Sequence, residues 1–236
     1  MKYFKSIIFF LFFHSVISHA NNKIDISAIE KSSYATISER VLRIAYNRMG
    51  IEMTVIDLPA ERAIHDANAG VVDGELYRIK DVHLKYKNLI MIPVPIGIME
   101  GIAITKNKSL NLTKWDDLKD HRVCIRNGVK FSEAGTRNFS VRSVNSNYQL
   151  FGMLTKNRCD VIIIAHLTSI PLTVDFSKKE KIKLYKHILQ VYPLYHYLHK
   201  KNSHLVPKLV EVLKKMEDEG VIADVRAQYI SEISSQ

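Results

Sequence analysis

The stretch IEMTVIDLPAERAIHDANAGVVDGELYRI, residues 51–79, decides the fold class of this chain. An apolar, β-branched run at residues 53–58 ends at Pro59, and an alanine-rich helical segment at residues 60–69 follows it. A second apolar run then begins at residues 71–74. A strand that passes through a helix into another strand is a βαβ unit, whose sheet is parallel and whose crossover is right-handed. We therefore predict an α/β fold.

Charged residues lie where the strands of this unit are expected to end. Ligands of open α/β sheets bind beyond the carboxyl ends of the strands. In residues 51–79 the charged side chains near those ends belong to Glu61, Arg62, Glu75 and Arg78. These positions are the first place to look for contacts with a ligand.

The rest of the chain repeats the alternation of strands and helices. A strand at residues 23–29 and a helix at residues 33–49 precede the βαβ unit, and an amphipathic helix over residues 205–216 lies near the end. The charged run at residues 177–183 is predicted to be a solvated surface turn. Between these segments we predict strands at residues 89–95, 98–105, 123–125, 141–144 and 160–164, and helices at residues 132–139 and 147–157.

Two successive α/β units, with a return segment and terminal helices, predict a protein of two lobes. The chain is expected to cross between them near residues 98–103 and 191–197. We therefore expect lobe 1 to hold residues 21–98 and 195–236, and lobe 2 to hold residues 99–194.

The first twenty residues have the pattern of a signal peptide. Two lysines precede a short apolar run at residues 7–17, and Ser18 and Ala20 are small residues at the two key cleavage positions. The run is short for a membrane span, which needs about 20 residues, although an uncleaved N-terminal anchor remains the alternative. We predict a signal peptide at residues 1–20 and a mature chain in the periplasm.

The charge balance points to an anionic ligand or surface. The net charge is +10, and removal of residues 1–20, which hold two lysines and no acidic residue, leaves +8. The basic residues are scattered, and no nucleic-acid-binding signature occurs. We therefore expect no nucleic-acid partner.

The only two cysteines, Cys124 and Cys159, each lie beside an apolar run that is typical of a buried strand. An oxidising compartment permits a disulfide between them. The sequence alone cannot supply the Cα separation that a disulfide requires. The favoured interpretation is two small buried hydrophobic residues on neighbouring strands, with the disulfide as the alternative.

Four segments in order resemble the periplasmic solute-binding proteins of the extracellular family 3 type. They are P-x-x-R-A…G-x-x-D-G within residues 59–74, DLKDHRVCIRNG, YQLFGMLTKNRCDVIII and LYHYLHKKNSHLVPKLVEVLKKMEDEGVI. This resemblance implies the type 2 periplasmic-binding-protein fold, in which each of two lobes is a mostly parallel sheet flanked by helices. It also implies a small solute held between the lobes and delivered to an ABC-type importer.

The resemblance implies solute contacts from lobe 1. Arg78 lies where the family often contacts the solute, and its guanidinium matches a carboxylate bidentately; the alternative is a surface pair with Glu75 or Asp81. Arg62 opens a helix, where backbone N–H groups favour anions, or is an ordinary exposed arginine. Tyr34, in the loop after the first strand, is a candidate aromatic wall.

In lobe 2 the family grips a carboxylate with the loop that corresponds to residues 127–130. Asn127 keeps a polar side chain there, whereas Val129 and Lys130 stand where the family often has Ser or Thr. This departure trades hydroxyl donors for an ammonium group. The alternative for Lys130 is a solvated loop lysine.

The main departure from the family concerns the solute's amino group. Amino-acid binders usually place an aspartate shortly after the strand that follows Asp160, but this chain has Ala165 and His166 there. A histidine is a poor anchor for an ammonium group because it is partly cationic near neutrality. We therefore expect a small carboxylate or another anionic solute ahead of a zwitterion, with Glu75 as the only acid near the candidate cations.

No enzyme signature stands out, so we expect a binding protein without cofactor or metal. His196 and His199 are three residues apart on a predicted strand and would point to opposite faces. No H-E-x-x-H, G-x-S-x-G, P-loop or G-x-G-x-x-G motif occurs. The expected partners are a small-molecule solute and a membrane permease, for a monomeric protein. The alternative is a periplasmic sensory module that presents its bound state to a membrane sensor.

Overall fold

The computed structural model describes residues 23–80 and 82–235, so the predicted signal peptide lies outside the described part. Eight strands and seven α-helices make up its regular structure, with three short 3₁₀ turns at Val82–Leu84, Trp115–Leu118 and Lys200–Leu205. The strands are β1 Lys23–Ile29, β2 Glu52–Leu58, β3 Gly74–Ile79, β4 Leu89–Thr105, β5 Val123–Arg126, β6 Val141–Val144, β7 Val161–Ala165 and β8 Tyr185–His199. The helices are α1 Ser33–Arg48, α2 Ala60–Ala69, α3 Lys130–Gly135, α4 Asn147–Thr155, α5 His166–Glu180, α6 Val206–Asp218 and α7 Val221–Ser234.

The predicted βαβ unit is present at one end of the sheet. The strand order is β2-β1-β3-β8-β4-β7-β5-β6, and β1 pairs in parallel with both β2 and β3. Helix α2 therefore carries the chain past β1. The strand after α2, β3, begins at Gly74 and not at the predicted residue 71. Val71 lies in a turn instead, with 72% of its surface exposed. At Gly74 a Cβ would collide with the carbonyl oxygen of Tyr197, which explains the glycine.

Two long antiparallel strands, β4 and β8, join the two ends of the sheet. The two strands predicted at residues 89–95 and 98–105 are wrong as separate elements, because they form a single strand of 17 residues. Irregularities in the register with β8 fall around Pro95 and Gly97, and prolines are tolerated in sheets at such bulges. The predicted crossings are neighbours in this pair, since Ile98 lies opposite Pro193.

Apolar residues fill both faces of each end of the sheet. Helices α1, α6 and α7 cover one face of the β1–β3 end, where Ile26, Leu42 and Leu213 are buried. Helices α4 and α5 cover one face of the β5–β7 end around Phe151. The predicted turn at residues 177–183 is wrong in its first half, because α5 continues to Glu180. Across the described residues, none of the helices has both the length and the apolarity that a membrane crossing requires.

The two cysteines are joined by a disulfide. Cys124 lies on β5, and Cys159 lies in the turn just before β7 rather than on a strand. Their Cα atoms are 6.0 Å apart, which is within the usual range for a disulfide. The favoured expectation of two free thiols is therefore wrong. The sequence pattern does not show that the turn before β7 packs close to β5, so the short Cα separation could not be predicted.

Candidate functional site

The carboxyl ends of β1 and β3 bring a polar and aromatic cluster together beside the start of α1. The Ser32 hydroxyl caps α1 by accepting a hydrogen bond from the Ala35 amide, and its oxygen lies 2.8 Å from the Tyr77 hydroxyl. The rings of Tyr34 and Tyr77 have centroids 6.5 Å apart. Burial raises the pKa of both phenols. The predicted aromatic residue Tyr34 thus lies at the strand ends, as a neutral and nearly buried side chain.

Tyr34 also joins the two ends of the sheet. The Leu167 amide, in the first turn of α5, donates a hydrogen bond of 3.3 Å to the Tyr34 hydroxyl. Leu167 is fully buried and packs in the same cluster as Tyr34, although it follows β7 at the other end of the sheet. Tyr34 lies in the first turn of α1 rather than in the predicted loop after β1. The starts of α1 and α5 therefore meet in direct contact.

Glu75 and Arg78 form a buried ion pair on the α2 face of β3. Arg78 Nε donates to Glu75 Oε1 at 2.8 Å, and Ser27 donates to Glu75 Oε2 at 2.6 Å. The Glu75 side chain has no exposed surface, and that of Arg78 is 17% exposed. Residues three apart on a regular strand point to opposite faces, but the register with β8 shifts between Glu75 and Arg78. Such a bulge re-aims side chains and explains how the two groups meet.

The contacts of this pair affect the pKa of Glu75 and fix the orientation of the Arg78 guanidinium. Burial raises the pKa of Glu75, and the Arg78 charge and the Ser27 hydrogen bond oppose that rise. Arg78 Nη2 donates to the Ala60 carbonyl oxygen at the start of α2, at 2.5 Å. None of the hydrogen bonds within the described residues uses Arg78 Nη1. The guanidinium is therefore fixed on two sides with one nitrogen left for a further acceptor.

The other two predicted cations lie on the surface with acidic neighbours. Arg62 Nε lies 3.4 Å from Asp66 Oδ2, and the Arg62 side chain is 70% exposed. Lys130 Nζ lies 3.3 Å from Glu133 Oε2, and the Lys130 side chain is 83% exposed. Both pairs are local, four and three residues apart. Glu75 is therefore not the only acid near these cations, and no contact gathers Arg62, Arg78 and Lys130 into one cluster.

The loop at residues 127–130 is held by its own polar contacts. Asn127 Nδ2 donates to Asn145 Oδ1 at 2.8 Å, and the Gly128 amide donates to Glu133 Oε1 at 2.7 Å. Val129 stands at the N-cap of α3 without a side-chain cap. Glu133 thus already accepts a hydrogen bond from a backbone amide of this loop. The family resemblance implied that the loop would instead hold a solute carboxylate.

His166, at the start of α5, belongs to a chain of ionisable side chains in contact that sequence reasoning missed. Its Nδ1 lies 3.4 Å from Glu100 Oε2, and its Nε2 lies 2.9 Å from Lys186 Nζ. Arg226 Nη2 of α7 donates to Glu100 Oε2 at 2.5 Å. Burial alone would raise the pKa of Glu100, but the His166 hydrogen bond and the Arg226 charge outweigh it and lower the pKa to about 2.

The only sequence signal for this chain of ionisable side chains is Glu100 itself, an acid inside the apolar run of β4. Its partners come from α5, α7 and β8, so no local pattern connects them. Glu100 lies opposite Val191 in the β4–β8 pair, within the segment where the crossings are predicted. The acid that is absent beside His166 in sequence is therefore present in space, although Arg226 already neutralises it.

His196 and His199 lie in different surroundings. His196 is fully buried, with Nε2 2.8 Å from the Tyr46 hydroxyl and Nδ1 2.9 Å from the Glu75 carbonyl oxygen. Burial lowers the pKa of His196 to about 4. His199 instead lies against Gly70. In the part of the chain that the structure describes, no three His, Cys, Asp or Glu side chains are grouped closely enough to hold a metal ion.

Comparison with known proteins agrees with this geometry at the level of the fold. No protein-family profile matches the chain. An uncharacterized protein of Shewanella oneidensis is 27% identical over 201 residues, which are 81% of this chain and 75% of that protein. This relative has no described function to compare.

Solved structures of binding domains superpose on nearly the whole chain. The GluR0 ligand-binding core in complex with L-glutamate gives a TM-score of 0.68 at 14% identity, over 88% of this chain and 98% of that one. A histidine kinase sensor domain with similarity to periplasmic binding proteins gives 0.63 at 13%, over 89% and 96%. The substrate-binding protein of an amino acid ABC transporter gives 0.57 at 17%, over 88% and 98%.

Identities this low establish the fold alone. The chain has the two-lobed fold of type 2 periplasmic binding proteins, in which each lobe is a mostly parallel sheet flanked by helices. The predicted fold class is confirmed. Two of the superposed proteins are described as a ligand-binding core and a substrate-binding protein, and the third as a sensor domain.

Proposed function

We propose that this protein is an extracytoplasmic solute-binding protein that captures a small carboxylate-bearing solute between its lobes. The observation that carries the proposal is the Tyr34 to Leu167 contact, which brings strand ends from both halves of the sheet together. Lobe 1 then holds residues 21–98 and 195–236, and lobe 2 holds residues 99–194. The paired strands β4 and β8 are the hinge between them, as in binders that close by domain bending.

Arg78 is the proposed anchor for the solute carboxylate. Its guanidinium is oriented by Glu75 and Ala60, and Nη1 keeps donors for a further acceptor. A hydrogen bond to a charged group contributes about 1.5–3 kcal/mol, and micromolar affinity corresponds to about −8 kcal/mol. Arg78 with two further contacts, from residues such as Tyr34 and the loop at residues 127–130, would supply that amount before ordering costs.

A carboxylate is preferred over a zwitterionic amino acid. No acid follows β7 at His166, and the nearest carboxylate in the described part, Glu100, already binds Arg226 and His166. A solute ammonium would have to compete with the Arg226 guanidinium for it. The proposal of an anionic solute rests on this arrangement together with the fixed Arg78 guanidinium. Closure of the lobes would be needed to bring four other predicted residues into contact with the solute: Arg62, Asn127, Val129 and Lys130.

Calorimetric titration of short mono- and dicarboxylates into three proteins tests this assignment. Arg78→Lys keeps the charge that compensates Glu75 but loses the planar fork of donors, so affinity should fall at least tenfold. Lys208→Ala, which removes an exposed cation paired with Glu211 on α6, is the control and should bind as the parent does. Equal affinity for the parent and Arg78→Lys would remove Arg78 from the site.

The proposed role is delivery of the solute to an ABC-type importer in the membrane, by a monomer that does not transform its ligand. A sensory role is the second candidate, and the superposition on a histidine kinase sensor domain favours it. Deletion of the gene separates the two. Loss of solute uptake with unchanged transcription indicates transport, whereas unchanged uptake with a lost transcriptional response to the solute indicates sensing.

A further inference from the structure

A cavity of about 220 Å³ lies between α5 and the outer ends of β4 and β8. One stripe of α5 lines it, with His166, Ile170, Thr173 and Val174 at the spacing that places side chains on one helix face. Its volume is below the roughly 300–1,000 Å³ of sites for drug-sized ligands. The cavity therefore suits a small molecule, and neither Tyr34 nor Leu167 lines it.

The walls of this cavity are apolar and its charge is concentrated at one point. Ile104, Ile170, Val174 and Leu184 supply the apolar surface. Lys186 lines the cavity too and is the register partner of Ile104 on β4, so the two side chains lie on the same face of the sheet. A ligand here would meet a hydrocarbon wall and an ammonium group together.

Lys186 differs from the three predicted cations, Arg62, Arg78 and Lys130, because no described carboxylate forms an ion pair with it. Its Nζ lies 2.9 Å from His166 Nε2, and His166 Nδ1 lies 3.4 Å from Glu100 Oε2. Glu100 is in turn neutralised by Arg226. By contrast, Arg62, Arg78 and Lys130 each have an acid within 4 Å.

We propose that this cavity, the α5 pocket, binds a small monocarboxylate with a compact apolar body. The carboxylate accepts hydrogen bonds from Lys186 at the mouth, and the apolar body packs against Ile104, Val174 and Leu184. None of the residues proposed to contact the solute, Arg78, Tyr34 and the loop at residues 127–130, lines this pocket. The Lys186 charge favours an anion over a neutral ligand. The apolar walls favour carboxylates with a hydrocarbon body, because only these bury apolar surface on binding.

Three probes of matched shape or charge test the α5 pocket. Benzoate has both the ring and the charge, benzamide has the ring without the charge, and acetate has the charge without the ring. Titrations are followed by the methyl NMR signals of the intact chain. We expect benzoate to bind at least tenfold more tightly than either other probe, with the largest shifts at Ile104, Val174 and Leu184.

Two substitutions make the assignment specific. Lys186→Gln should weaken benzoate binding at least tenfold and leave benzamide binding unchanged, and Val174→Phe should fill the pocket and abolish both. Circular dichroism checks folding, and if Lys186→Gln does not fold, the probe series and Val174→Phe still decide. Equal binding of benzoate and benzamide, benzoate shifts centred elsewhere, benzoate binding unchanged in Val174→Phe, or absence of benzoate binding would each overturn the proposal.

Discussion

Removal of the Arg78 side chain should destabilise the fold through Glu75, apart from any effect on a solute. Glu75 is fully buried, and its two oxygens accept from Arg78 and Ser27. Arg78→Ala leaves a buried carboxylate with a single side-chain donor. Breaking a buried ion pair by removing one partner costs about 3–5 kcal/mol, which corresponds to a fall of about 6–20 °C in Tm for a chain of this size.

Urea unfolding at two pH values measures this effect. Because burial already raises the pKa of Glu75, and Arg78 opposes that rise, the pKa of Glu75 should rise further in Arg78→Ala. A carboxyl with a raised pKa in the folded state favours folding when it is protonated, and this stability is lost as pH rises through the folded pKa. The deficit of Arg78→Ala relative to the parent should therefore shrink as the pH falls from 7 toward the ordinary carboxyl range.

Two further variants isolate the pair. Arg62→Ala is the surface control, because exposed ion pairs contribute about 0–1 kcal/mol, and it should unfold close to the parent. Glu75→Gln combined with Arg78→Ala removes the uncompensated charge and should recover part of the loss. If Arg78→Ala unfolds within about 1 kcal/mol of the parent, the argument that Arg78 compensates a buried charge is refuted.

Three other predictions follow from groups outside the candidate anchor. Replacing Cys124 and Cys159 together by alanine should lower stability in urea by about 3–4 kcal/mol, the loop-entropy value for a sequence separation of 35; a change near zero would count against the disulfide. Glu100, with its pKa lowered to about 2, contributes stability above its usual pKa that is lost as pH falls toward 2, so Glu100→Gln should lose less stability than the parent between pH 5 and pH 2. Parallel acid curves for the two proteins would contradict that assignment. Burial lowers the pKa of His196 to about 4, so the neutral ring stabilises the fold above its usual pKa near 6.5, and this stability is lost as pH falls toward 4. NMR titration should find the neutral ring at pH 5.5. A titration midpoint near 6.5 would contradict the burial of this ring away from water.

Periodicity in the sequence predicted the local elements well. Strand β1 and helix α2 have the predicted bounds, and α4 begins at residue 147 as predicted, where the Ser146 hydroxyl caps it by accepting from the Gln149 amide. These features depend on side-chain alternation, helix-face spacing and capping, which are local properties. The pattern at β3 was less informative because Val71 is apolar yet exposed in a turn.

The features that were missed depend on residues far apart in sequence. Two strands were predicted where β4 is continuous, because its pairing with β8 accommodates Pro95 at register shifts. The partners of Glu100 come from α5 and α7, and Cys159 reaches Cys124 from a turn. Local acids were also underestimated: Asp66 and Glu133 accompany Arg62 and Lys130 at helical spacing. The prediction of Arg78 as an anchor stays a prediction, and its pairing with Glu75 was the stated alternative.

The most direct test of solute capture is a thermal-shift panel on the chain without residues 1–20. The panel compares short carboxylates, amino acids, phosphorylated compounds and uncharged solutes. A ligand that binds only the folded state at 100 times its Kd stabilises it by about 2.7 kcal/mol, or about 5–11 °C in Tm for a chain of this size. We predict that a carboxylate gives such a shift and that the matching amino acid gives less. A shift with amino acids and none with carboxylates would contradict the proposed anionic solute, and no shift with any compound would contradict solute capture itself.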